Sequence, residues 1–198
     1  MSSDKIHLAV LISGRGSNME ALINACARDG YPARISVVIS NRPDAAGLEK
    51  AAAAGLKTAI VDHKLYHGRE AFERALHDEI MKHAPIDLVC LAGFMRLLTP
   101  WFVGQWHDRL INIHPSLLPD YKGLDTHARA LADGRTEAGC TVHFVRPEMD
   151  EGPIIVQKRV PVQPGDTPDT LAVRVLSQEH LAYTEAVELV ARKLQQES

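Results

Sequence analysis

The chain has 198 residues, of which 45% are hydrophobic and 24% charged, and its formal net charge is -3. That length suits one domain able to bury its own core, and the balance is ordinary for a soluble globular protein. It offers no general attraction to nucleic acid or membrane surfaces, and the longest apolar runs are too short to span a bilayer.

Met1 to Asp4 is polar, so the apolar run after it reads as a strand rather than a signal core. Cys26, Cys90 and Cys140 lie in apolar stretches without metal-like spacing and read as free thiols of a reducing compartment, which predicts a cytoplasmic protein. His63 and His67 stand beside Asp62, but one such pair falls short of a ligand set, so no metal is expected.

Ile6 to Ile12 predicts a buried strand, and Ser13-Gly14-Arg15-Gly16-Ser17-Asn18 follows at once. Met19, Leu22, Ile23 and Cys26 then recur at helical spacing. Ser17 and Glu20 have capping-box spacing, which starts the helix at Ser17, and Gly30 suits its C-terminal cap. Strand, glycine loop and helix N-terminus together make an anion site. A P-loop would need Gly-Lys-Ser/Thr. A dinucleotide fingerprint would need a small residue at Met19 and an acidic one just after the second strand, Ile35 to Ser40. Asn41-Arg42-Pro43-Asp44 stands there instead, so a single phosphate or carboxylate is expected rather than a nicotinamide cofactor. A plain connecting turn is the alternative.

Ala45 to Ala54 predicts a helix ending at Gly55, and Lys57 to Val61 a short strand. Arg69 to His83 predicts a helix with Phe72, Ala75, Leu76, Ile80 and Met81 inward, and Asp87 to Ala92 another strand. The loop from Gly93 to Pro100 is unusually apolar, and Phe94, Met95, Leu97 and Leu98 must either pack or line a pocket. A short helix near Pro100 to Gln105 comes next.

Leu110 to Pro119, Leu-Ile-Asn-Ile-His-Pro-Ser-Leu-Leu-Pro, begins as a strand and stops at Pro115. Asn112 and His114 are two apart, so their side chains share one face at the carboxyl end of that strand, where α/β sheets place ligands. An amide dipole and a titratable imidazole there could hold an oxyanion and move a proton. A polar strand end and a turn histidine are the plain alternative.

Thr126 to Ala132 predicts a helix. A strand around Cys140 to Val145 points Cys140, Val142 and Phe144 one way, and Thr141, His143 and Val145 the other. Pro147 to Pro153 reads as a loop and Ile154 to Val162 as a strand. A long final helix has Thr167 at its N-cap and Pro168 at its first position, with Leu171, Val175, Leu176, Tyr183, Val187 and Val190 inward. Alternating βαβ units predict an α/β, Rossmann-like, mostly parallel twisted sheet of about seven strands. It is expected to be mixed at its C-terminal side, with helices on both faces. No linker-like segment appears, so residues 1–198 are expected to form one domain.

Five motifs in this order resemble one family: Ser-Gly-Arg-Gly-Ser-Asn at 13–18, Ser-Asn-Arg-Pro-Asp-Ala at 40–45, Leu-Ala-Gly-Phe-Met-Arg-Leu-Leu at 91–98, Asn-Ile-His-Pro-Ser-Leu-Leu-Pro at 112–119 and Asp-Glu-Gly-Pro at 150–153. They look like the phosphoribosylglycinamide formyltransferases, folate-dependent enzymes of purine biosynthesis. The resemblance runs from the first strand to Gln178-Glu179-His180. It implies formyl transfer from 10-formyltetrahydrofolate, a co-substrate, to the primary amine of 5-phosphoribosylglycinamide, with no metal. By carry-over, Asn112, His114 and Asp150 are catalytic. Gly16, Ser17 and Asn18 hold the substrate phosphate and Glu179 the ribose hydroxyls. Arg69 faces the benzoyl-glutamate of the folate, and Met95, Arg96, Leu97 and Leu98, with Asn112, receive the pterin side. The loop at 145–150 is implied there too. The phosphate half would be about 1–105 and the catalytic and folate half about 106–198. Partners would be small molecules, and a monomer or a homodimer would both suit.

Two positions depart from the pattern: Asp125 stands where many relatives carry histidine, and the C-terminal extension of some relatives is missing. Formyltetrahydrofolate deformylase, a hydrolase with the same catalytic core, is the main alternative. It normally carries an N-terminal regulatory domain, for which a first strand at Ile6 leaves no room. Methionyl-tRNA formyltransferase would have a longer chain with an RNA-binding domain. A folate- or nucleotide-binding module with a dead site is a third possibility, against which the intact trio argues.

Overall fold

The structure, a computed structural model, describes residues 5–197; the polar start at 1–4 lies outside them. In chain order the elements are β1 (Ile6–Ile12), α1 (Ser17–Cys26), β2 (Ala33–Ser40), α2 (Ala46–Ala53), β3 (Thr58–Ile60), α3 (Arg69–Met81), β4 (Leu88–Leu91), α4 (Pro100–Gln105), β5 (Leu110–His114), α5 (Thr126–Ala132), β6 (Glu137–Phe144), β7 (Ile154–Pro161) and α6 (Pro168–Glu197). A single 3₁₀ turn, His63–Leu65, lies between β3 and α3.

All seven strands join one sheet in the order β3-β2-β1-β4-β5-β6-β7. The first five run parallel, while β6 and β7 are antiparallel to their neighbours. This is the expected mixed α/β sheet. The pleat of β1 divides the interior in two. Leu8, Val10 and Ile12 enter a core built with α1 and α6, where Met19, Leu22, Val175, Tyr183 and Val187 are buried. Ala9 and Leu11 enter the opposite core with Phe72, Leu76 and Ile80 of α3 and Phe102 and Trp106 near α4. Helices therefore cover both faces, which is why β1 reads as continuously apolar.

Several local expectations change. α1 does start at Ser17, but its N-cap is Gly16 in the left-handed region (φ 73°), and no side chain caps it. Ser17 and Glu20 thus form no capping box: Ser17 is already helical. Gly30 has φ 75°, yet α1 ends four residues earlier, at Cys26. Met81 is 49% exposed, because α3 ends there, while Glu73 of the same helix is 1% exposed. The apolar loop divides its residues. Phe94 is buried and stacks on Phe72 with centroids 6.5 Å apart, and Leu98 packs on the same core. Met95 and Leu97 are exposed. Thr167 caps α6 as expected: its Oγ1 accepts from Thr170 N (3.2 Å), and Thr170 Oγ1 accepts from Thr167 N (2.9 Å).

The three cysteines are free thiols. Burial pushes the Cys26 thiol up to about 11 and the Cys140 thiol up to about 12.

Candidate active site

The chain leaves β1 toward β2 on one side, and β4 pairs on the other, so the strand order reverses between β1 and β4. In open α/β sheets, ligands bind outside the carboxyl ends of strands at such a switch point. Here the glycine loop after β1 and the loop after β4 line one cleft of about 460 Å³, whose walls include Ser13 to Asn18, Asn41, Arg42, His63, Gly93, Met95 and Arg96. Gly16 is required by its conformation and by space: a Cβ there would lie 3.0 Å from Gly47 Cα. The first N–H groups of α1, unpaired within the helix, supply donors at this end.

Asn18 is buried at the base of α1, and its Nδ2 donates to Glu179 Oε2 at 2.8 Å. Among the described residues its Oδ1 is buried without a partner. Burial raises the Glu179 carboxyl above its ordinary value, while Asn18, His180 and His114 pull it back.

At the end of β5, Asn112 pairs with His143 across the antiparallel ladder, and His114 pairs with Thr141. His114 is 6% exposed. Its Nε2 lies 2.9 Å from the Tyr121 carbonyl, which can only accept, so Nε2 carries the proton. Its Nδ1 lies 3.5 Å from Asp150 Oδ2. Nε2 is committed to the Tyr121 carbonyl, so Nδ1, which has only the longer 3.5 Å approach to Asp150, is the nitrogen that can also serve a ligand. Asp150 adopts φ 55°, and Gly123 N donates to its Oδ2 at 2.9 Å. Gly152 lets the turn press onto β6, since a Cβ there would lie 1.6 Å from the Phe144 oxygen. The structure thus brings Asn112, His114 and Asp150 to one end of the sheet.

Sequence reasoning missed His143. Its Nδ1 faces the Phe144 carbonyl at 3.0 Å, its Nε2 lies 3.5 Å from Asn112 Nδ2, and the same Nε2 is 3.7 Å from Asp150 Oδ1. Burial lowers its pKa, so the neutral ring with its proton on Nδ1 fits best. Nε2 is then an acceptor aimed at the Asn112 amide, which orients that amide, and its approach to Asp150 is no ion pair. The Asp150 charge is directed to His114 and Gly123. The only signal in the sequence was His143 on the same strand face as Thr141 and Val145, which carries no information about register. Glu73 was missed too: it accepts from Thr99 N at 2.8 Å and from Thr99 Oγ1, fixing the end of the loop after β4.

The predicted folate residues separate. Met95 and Arg96 line the cleft, whereas Leu97 is exposed and Leu98 turns toward the core. Arg69 is exposed at the first position of α3 and does not line that cleft. Asp125 sits at the N-cap of α5 with φ 55° and makes no side-chain cap bond. The neighbouring His127 is half-buried, and its pKa is lowered by burial and by His114.

The formyl transferase family matches residues 6–187. Phosphoribosylglycinamide formyltransferase of Escherichia coli (strain K12) is 49% identical over 178 residues, covering 90% of this chain and 84% of that protein. The trifunctional purine biosynthetic protein adenosine-3 of Bos taurus is 49% identical over 187 residues, but this chain spans only 18% of its length. The crystal structure of phosphoribosylglycinamide formyltransferase from Brucella melitensis matches with a TM-score of 0.91 at 48% identity, over 95% of this chain and 96% of that one. The family match at residues 6–187 spans the glycine loop, the β5 end and the Asp150 turn, and with these relatives at 48–49% identity the chain belongs to the formyl transferase family and, within it, to the phosphoribosylglycinamide formyltransferases.

Proposed function

We propose that this chain moves a formyl group from 10-formyltetrahydrofolate to the primary amine of 5-phosphoribosylglycinamide, in purine biosynthesis in the cytoplasm. The observation that carries the reading is His114, locked by the Tyr121 carbonyl on Nε2 and faced by Asp150 on Nδ1, with the Asn112 amide on the same strand end. One domain supplies both halves of the site: the glycine loop comes from its first half, and the trio and Glu179 come from its second.

The amine nitrogen attacks the formyl carbon, a new C–N bond forms, the bond to folate N10 breaks, and the amine's proton ends on N10. No enzyme nucleophile is needed. Asn112 donates to the formyl oxygen as negative charge grows there, and His143 holds the amide for that task. His114 adds a second, charge-assisted donor from Nδ1. Asp150 compensates the imidazolium and can relay the proton through water. Gly16, Ser17 and Asn18 would take the phosphate, and Glu179 with the free Oδ1 of Asn18 the ribose hydroxyls. The exposed apolar side chains of Met95 and Leu97, with the Arg96 guanidinium beside them, fit a flat heterocycle with an acidic tail, and Arg69 would meet that tail at the rim. These are small-molecule partners.

The relatives described above are transferases or carry a purine biosynthetic name; none is named as a hydrolase. The test is a turnover assay with both substrates and with the ribonucleotide omitted. Rapid transfer with slow deformylation supports the reading. Equal consumption of 10-formyltetrahydrofolate without the ribonucleotide would make this chain a hydrolase.

A further inference from the structure

Ser13 follows the last residue of β1 and is 5% exposed. Its Oγ donates to Asn41 Oδ1 at 2.6 Å and accepts from Met95 N at 2.8 Å. Asn41, 2% exposed, follows the end of β2, and its Nδ2 lies 3.1 Å from His63 Nδ1. One hydroxyl therefore ties the carboxyl ends of β1, β2 and β4 together. Its direction is fixed: Asn41 Oδ1 can only accept, so the hydroxyl proton points there and a lone pair is left for Met95 N–H.

Met95 belongs to one wall of the cleft and Gly14 to Asn18 to the other. Ser13 and Met95, 82 residues apart in the chain, join the two loops through this hydroxyl. The loop after β4 has its far end fixed separately, by Glu73 on Thr99. The segment from Met95 to Leu97, whose two end side chains are exposed, thus lies between two partly buried hydrogen bonds, and one of them is shared with the glycine-loop side of the cleft.

We propose that Ser13 is a positioning residue that couples the two substrate loops, so that binding the phosphorylated ribonucleotide at the glycine loop orders residues 93–98 and tightens folate binding. This rests on the function proposed above. The physical basis is linkage through shared ordering: a ligand that fixes Ser13 and the glycine loop lowers the cost of ordering the loop that Ser13 holds, and the effect is reciprocal.

The experiment is isothermal titration with tetrahydrofolate, which carries no formyl group and cannot react, with and without saturating 5-phosphoribosylglycinamide. Wild type should bind tetrahydrofolate about five-fold or more tightly when the ribonucleotide is present. In Ser13→Ala that ratio should fall toward one, whatever each separate affinity does. An undiminished ratio in Ser13→Ala, or a ratio of one in wild type, overturns the coupling. Amide hydrogen exchange on wild type gives an answer that does not depend on the variant folding: the ribonucleotide alone should slow exchange at residues 93–98, and unchanged exchange there overturns the proposal. If the wild-type chain binds neither ligand, the function itself is wrong, and that result is distinct from binding without coupling.

Discussion

The Asn18 amide donates to the Glu179 carboxylate across 2.8 Å, joining the first turn of α1 to the middle of α6 across 161 positions of sequence. The contact is buried, and it leaves Asn18 Oδ1 without a partner among the described residues. Two polar groups are thus held out of water beside the glycine loop, which is costly for folding alone and sensible if a hydroxylated ligand completes them.

The Glu179 carboxyl is raised above its ordinary value, mainly by burial. The unfolded chain ionises first, so the site contributes most to stability below the ordinary value of 4.5 and loses that contribution as pH rises toward the higher folded value. Glu179→Gln has no such loss. Denaturant midpoints at about pH 4 and about pH 7.5 should therefore show the variant gaining on wild type as pH rises. A variant-minus-wild-type stability that stays constant or falls between those pH values would mean that the carboxylate is not penalised by its burial. The KM for the ribonucleotide should rise as well.

His114→Ala and Asp150→Asn should each lower kcat by about 10²–10⁴, the usual range for a positioned acid or base. Because Asp150 faces His114 Nδ1 directly, the double variant should be little worse than the worse single one. Steady-state kinetics on all four proteins decides this, and losses that simply multiply would separate the two residues.

His143→Phe removes the acceptor that orients Asn112 while keeping an apolar ring in a site that is 2% exposed. We expect kcat to fall by about ten-fold to 10²-fold, below the 10²–10³ typical of losing an oxyanion donor itself. The KM for each substrate should change little. A variant with unchanged kcat would show that the Asn112 amide is held without His143.

Gly16→Val does not test the glycine loop cleanly, because φ 73° and the 3.0 Å approach to Gly47 Cα strain any side chain there. Gly152→Ala is more informative. Its Cβ would meet the Phe144 oxygen at 1.6 Å, so the turn carrying Asp150 must move. Activity should drop by about 10² or more, as a displacement near 1 Å commonly causes, while circular dichroism stays native. Retained activity would mean that the Asp150 position tolerates the shift.

Thr167→Ala removes the reciprocal cap at the start of α6. Stability should fall by about 1 kcal/mol, with kcat unchanged. Chemical denaturation measures the first quantity, and no loss would mean that the long helix is held by its buried face alone.

The sequence alone determined the alternation of strands and helices, because apolar periodicity is a local property of the chain. It also put Asn112 and His114 on one face, since the pleat repeats every two residues, and marked the Ser13–Asn18 loop as a candidate anion site. The motifs in order carried the family. What the tertiary structure alone decided is which distant groups meet. The β5–β6 register sets His143 against Asn112. The tight approach at Gly152 delivers Asp150 to His114. The strand order brings Ser13 to Met95, and the packing of α6 on α1 brings Glu179 to Asn18. The cap of α1 is likewise a tertiary outcome: Ser17 and Glu20 have capping-box spacing, but Gly16 turns left-handed against Gly47, a contact made only when α2 folds back beside the loop. Spacing along the chain specifies elements; register and close approach between elements, which depend on every intervening turn, specify the site.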